Sequence, residues 1–142
     1  MKKLTLVFAF LISSSAFAGF KTVAEAEKKL ATYTVADIRG DVNRLAEGKP
    51  LKIDEIFDDL DSTVELLKKD TLTEELALQM ERACLLASLH DPSNHAIEII
   101  LPVFIKNKAV FEKAAESLHP VDRKNVMEPM RDAAVSSLAG DN

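Results

Sequence analysis

Ser88-Leu89-His90-Asp91-Pro92 leads, seven residues beyond the proline, to Ile99-Ile100-Leu101-Pro102-Val103. Ser117-Leu118-His119-Pro120 leads, six residues on, to Val126-Met127-Glu128-Pro129-Met130. Each copy reads as S-L-H, a proline turn, two apolar residues, one spacer, a proline and a final apolar residue. The offset is 29 residues at the serine and 27 at the second proline. A proline ends the helix before it and suits the first turn of the helix after it, so each copy predicts helix, turn, helix. A unit this small buries little alone and has to stack on neighbours. A fainter third copy starts at Pro50, with Ile56-Phe57 again six residues on.

Outward from these copies, apolar positions recur at three and four from Thr22 onward, with almost no strand-like alternation. The pattern predicts helices over 22–32, 35–47, 52–69, 73–90, 93–107, 108–118 and 121–138. Thr22 with Glu25, and Thr71 with Glu74, have capping-box spacing and mark two helix starts. Without strands, and with short connections, the stripes must bury against one another. The expected fold class is all-α, as stacked antiparallel helix pairs of ankyrin-like or HEAT-like kind without β-hairpin fingers; the alternative is an irregular helical bundle. Pro102 and Pro129 fall inside second helices and would kink them, curving the stack. Met127 and Met130, with Val103 and Phe104 at matching places, are candidates for its concave side or for its core.

The start of the chain reads as an export signal. Met1-Lys2-Lys3 is positive, Leu4 to Ile12 is apolar apart from Thr5, and Ala16 and Ala18 stand at A-x-A positions. The apolar run is about half of the ~20 residues that a membrane-spanning helix needs. The expectation is a cleaved signal peptide at 1–18 and one all-helical domain at 19–142, working in the periplasm or outside the cell, with no membrane in the mature form. The precursor carries 18 Lys+Arg against 23 Asp+Glu; without Lys2 and Lys3 the balance is 16 minus 23, or −7. That excess argues against a nucleic-acid partner, because phosphates demand clustered cations. At 47% hydrophobic and 29% charged residues the chain is too apolar to stay disordered. Only four glycines occur, too few for a phosphate cradle. Cys84 is the one cysteine, set among Ala83, Leu85, Leu86 and Ala87, so no internal disulfide forms and the thiol reads as a small buried hydrophobe.

Asn94-His95-Ala96-Ile97-Glu98-Ile99-Ile100 resembles the second-helix entry of an ankyrin repeat, usually G-H-x-E-I-V. Ile38-Arg39-Gly40-Asp41-Val42 resembles the G-D-V opening of many first ankyrin repeats. The T-P-L-H start and the finger motif are absent, and a 27–29-residue unit is what an ankyrin repeat of about 33 becomes when its finger is cut down. The resemblance covers about a third of the mature chain and implies a stack of helix pairs that binds protein.

Two groups of residues stand out as candidates. His90 and His119 occupy equivalent repeat positions, and His95 follows His90 and Asp91 in the same connection. Imidazole and carboxylate suit several divalent metals, while a histidine in a last helical turn also serves free carbonyls. No H-E-x-x-H or His-Cys spacing accompanies them, so no metal or cofactor is expected. The second group is acidic: Asp54, Asp58, Asp61 and Glu65 step by four, three and four along one helix face, within a dense run that also holds Glu55 and Asp59. The opposite face carries Ile53, Ile56, Phe57, Leu60, Val64 and Leu67. Such a stripe is a solvated face or a surface that steers onto a basic partner. Helical carboxylates of this spacing do not wrap a calcium ion.

No catalytic constellation accompanies them. Ser88 and His90 point to different sides of a helix, and neither a G-x-S-x-G elbow nor an S-x-x-K appears. The expectation is therefore a non-enzymatic, exported protein-binding module: a periplasmic immunity or inhibitor protein that caps a peptidoglycan-cutting enzyme of the envelope. Its partner-binding candidates are Asp58, Asp61, Glu65, His90, Asp91, His95 and His119. The alternative is a small-ligand or metal carrier using the histidine-bearing turns.

Overall fold

The computed structural model describes residues 19–140, which form α1 (Val23–Leu30), α2 (Val35–Arg39), α3 (Asp41–Ala46), α4 (Lys52–Leu66), α5 (Glu74–Ala87), α6 (His95–Lys106), α7 (Lys108–Ala115) and α8 (Pro120–Ala139). The fold is all-α, with no strand among the described residues. The expected export signal at 1–18 lies outside them.

Local chemistry explains most of the boundaries. Thr22 caps α1 by accepting the Glu25 amide at 3.2 Å, while the Glu25 carboxylate accepts the Lys21 amide one residue before the cap. The reciprocal capping box belongs to α2, where Thr34 and Asp37 accept each other's backbone N–H. The expected single helix over 35–47 is broken at Gly40, which ends α2 and starts α3. The cap of α5 is Thr73, accepting the Leu76 amide at 3.0 Å, and not the expected Thr71. Thr73 has Leu76 at its third helical position, so it caps through its hydroxyl alone, without the Glu that the spacing at Thr71 offered. His119 caps α8, its Nδ1 accepting the Val121 amide at 3.3 Å, with Pro120 in the first turn. Pro102 and Pro129 sit inside α6 and α8.

The start of α4 has no cap of its own, since Leu51 offers no acceptor. Asp41, on α3, supplies one from across the connecting loop. Its buried carboxylate accepts the amides of Lys52 at 2.7 Å and Ile53 at 2.9 Å and an Arg44 N–H at 2.8 Å. Burial alone would raise this carboxyl; the three donors outweigh it and hold it below the usual range.

Helix α5 is central. It packs on α1, α2, α4, α6, α7 and α8, and its Leu76, Ala77, Met80, Ala83, Cys84 and Ala87 are buried. Along one row α1 lies on α5 and α5 on α7; along the other α4 lies on α6 and α6 on α8. The core between the rows includes Ile56, Leu60, Ile100, Phe104, Phe111, Val126 and Met130, with Phe104 and Phe111 edge to face at 5.6 Å. Each large side chain buried there contributes about 1.5–3 kcal/mol. Val103, Phe104, Met127 and Met130 are all buried, so these candidates for a concave surface are core residues. The buried side of α4 also departs from the expected stripe. Asp59 and Thr63 are buried beside Ile53, Ile56, Leu60 and Leu66, whereas Phe57, Val64 and Leu67 are only half-buried.

Candidate functional site

The carboxylates of α4 divide into two sets. Glu55 accepts from the Lys29 and Lys52 ammonium groups, the hydrogen bond from Lys29 being the strongest of the influences that bring its pKa down to about 2. Asp59 accepts the Tyr33 hydroxyl and lies 3.8 Å from Lys29; burial raises its carboxyl above the usual range despite both. Burial and the bond to Asp59 push the Tyr33 phenol far up. These residues tie α1 to α4 and belong to the framework.

Asp54, Asp58 and Asp61 are the other set. They are exposed on one face of α4, and none makes a hydrogen bond or ion pair with a described residue. Glu65 extends the face by one turn but pairs with the exposed Lys68. The outer face thus presents three uncompensated charges at helical spacing.

The histidine side chains take separate partners. His90 donates its Nε2–H to the Ile38 carbonyl at 2.8 Å, which fastens the end of α5 to α2 and fixes its tautomer. Asp91 accepts the Ser93 and His95 amides and so shapes the turn into α6, its carboxyl lowered first by the Ser93 hydroxyl. The His95 ring meets Phe57 edge-on at 4.9 Å and lies 3.4 Å from Glu98. His119 stands at the start of α8. Among the described residues no three His, Cys, Asp or Glu side chains converge as metal ligands would.

His119 instead lines a groove of about 520 Å³. Arg82, Leu85 and Leu86 of α5 and Leu89 of the turn after it line one part of the groove. Tyr33 and Thr34 from the α1–α2 connection, Val35 of α2, and Leu118, His119, Asp122 and Asn125 at the start of α8 line the rest. Leu89 is 55% exposed and Val35 42%, unusually wet for their type. Arg82 and Asp122 are exposed and engage no described residue. Sequence reasoning reached His119 through the repeat but missed Arg82, Leu85 and Leu89. Their spacing of three and four, running from α5 into the turn after it, was the available signal.

Glu81 was also missed. It is fully buried in the middle of α5, and neither carboxylate oxygen has a hydrogen-bond partner. Burial pushes its pKa up to about 8. One turn on, the buried Cys84 thiol is raised by burial and by Glu81, which makes it a poor nucleophile. Comparison with protein-family models, curated proteins and solved structures found no match for this chain.

Proposed function

We propose that the protein is an exported protein-binding module of the cell envelope, an inhibitor or immunity protein that caps a basic, peptidoglycan-cutting enzyme through the outer face of α4. The observation that carries this reading is the division of the α4 carboxylates. Glu55 and Asp59 are spent on Lys29, Lys52 and Tyr33, while Asp54, Asp58 and Asp61 face solvent without a counter-charge. Charge left free in a row contributes little to the fold; across an interface it speeds encounter with a positive surface and selects its orientation. The repeat copies, the resemblance to ankyrin repeats and the packing of α1, α5 and α7 in one row and α4, α6 and α8 in the other all support a stack of helix pairs, an architecture that offers extended binding faces. His90, Asp91 and His95 then serve the turns between helices rather than the contact.

The test is inhibition. The mature chain is added to an envelope extract whose peptidoglycan-cutting activity is followed at low and at raised salt. The expected result is saturable inhibition that weakens with salt and is lost, by about tenfold or more in affinity, in an Asp58→Lys, Asp61→Lys double variant. Undiminished cutting at a large excess of the protein overturns the inhibitor reading.

A further inference from the structure

We propose that the groove on α5 is a binding site for a short peptide with free ends and an apolar body. The apolar part follows from Leu85, Leu86, Leu89 and Val35 in its lining, side chains whose wet surface favours an apolar cover. The ends follow from charge. Arg82 stands on the α5 side and Asp122 on the α8 side; each is exposed, neither is paired with any described residue, and they do not pair with each other. A guanidinium takes a carboxylate in a two-pronged hydrogen bond, and a carboxylate takes an ammonium. Opposite charges that line one apolar groove without pairing therefore match a ligand that carries both.

Simpler ligands fit less well. A fatty carboxylate would satisfy Arg82 and leave its anionic end in the same groove as Asp122. A basic peptide would satisfy Asp122 and meet Arg82. His119 has its Nδ1 occupied by the Val121 amide, so its remaining ring nitrogen is a donor, and Asn125 adds an amide for the peptide's own backbone. A volume of about 520 Å³ suits a few residues, not a folded partner. No residue of α4 lines the groove, so this site stands or falls independently of the acidic face.

The experiment is calorimetric titration of the mature chain with tri-leucine, and with its N-acetylated and C-amidated forms. Saturable binding is expected for the free peptide. Amidation and Arg82→Gln should each weaken it about tenfold, and should not add when combined, because both remove one contact. Acetylation and Asp122→Asn should behave as a second such pair, and Leu89→Asp should weaken all forms. These positions are exposed, and unchanged thermal unfolding would confirm that each variant is folded. The proposal is overturned by no saturable binding up to about 10 mM peptide, by equal affinity for free and capped peptides, or by affinity indifferent to Arg82→Gln and Asp122→Asn.

Discussion

Glu81 shows how one residue can govern the response of the whole chain to pH. Its carboxyl has an ordinary value of 4.5 and a folded value near 8, so folding favours the protonated form. The support this gives is complete below about pH 4.5 and is lost as pH rises through 8. Unfolding free energy from denaturant titrations should therefore fall by on the order of 3–5 kcal/mol between about pH 5 and pH 9. Glu81→Gln, neutral throughout, should flatten that dependence and be the more stable protein at the alkaline end. An unchanged slope in the variant would place the proton uptake elsewhere. Tyr33 makes the complementary case. Tyr33→Phe removes the hydroxyl that Asp59 accepts and leaves a buried carboxylate with Lys29 alone, so it should cost about 1–3 kcal/mol in the same titration at neutral pH.

At the scale of elements, capping gives sharper tests than burial. Thr73→Ala should destabilise by about 1 kcal/mol, because the Leu76 amide loses its acceptor, whereas Thr71→Ala should be close to neutral. Asn94 holds a left-handed backbone at φ 60° before α6, and Asn94→Gly should be tolerated while Asn94→Val should be destabilising; thermal unfolding distinguishes them. The helices themselves were legible because apolar spacing is a local property of the chain, and every predicted helix overlaps an observed one. Its failures were equally physical. The break at Gly40 depends on a glycine that helices tolerate elsewhere. Asp59 and Thr63 look like solvent residues until Tyr33 and the α4 backbone provide their partners. The acidic face of α4 could be read from spacing, but which carboxylates remain free could not, since Lys29 reaches Glu55 from 26 positions away. The groove was illegible for the same reason: its lining comes from three stretches far apart in sequence, at 33–35, 82–89 and 117–125.

For the molecule as a whole, the separation between framework charges and free charges makes a prediction about where stability resides. Replacing Asp58 and Asp61 by Asn should leave the melting temperature within a degree or two, or raise it slightly by relieving repulsion among neighbours on one face. Replacing Glu55 by Gln should lower it, since Lys29 and Lys52 lose their shared partner. Thermal unfolding at low salt would register both. The outer face of α4 would then be acidic without depending on that acidity to fold.

The carboxylate of Asp41, reaching over the loop to the first amides of α4, also fixes what happens when that loop is cut. Residues 47–50 are exposed, and Gly48 turns there with positive φ, so a protease would find the tip accessible. Cleavage at Gly48 would sever the covalent link and leave the hydrogen bonds from Lys52 and Ile53 intact. The pieces on either side of the cut should therefore stay associated after nicking, held also by Lys29–Glu55 and Tyr33–Asp59, an association that Asp41→Ala would weaken.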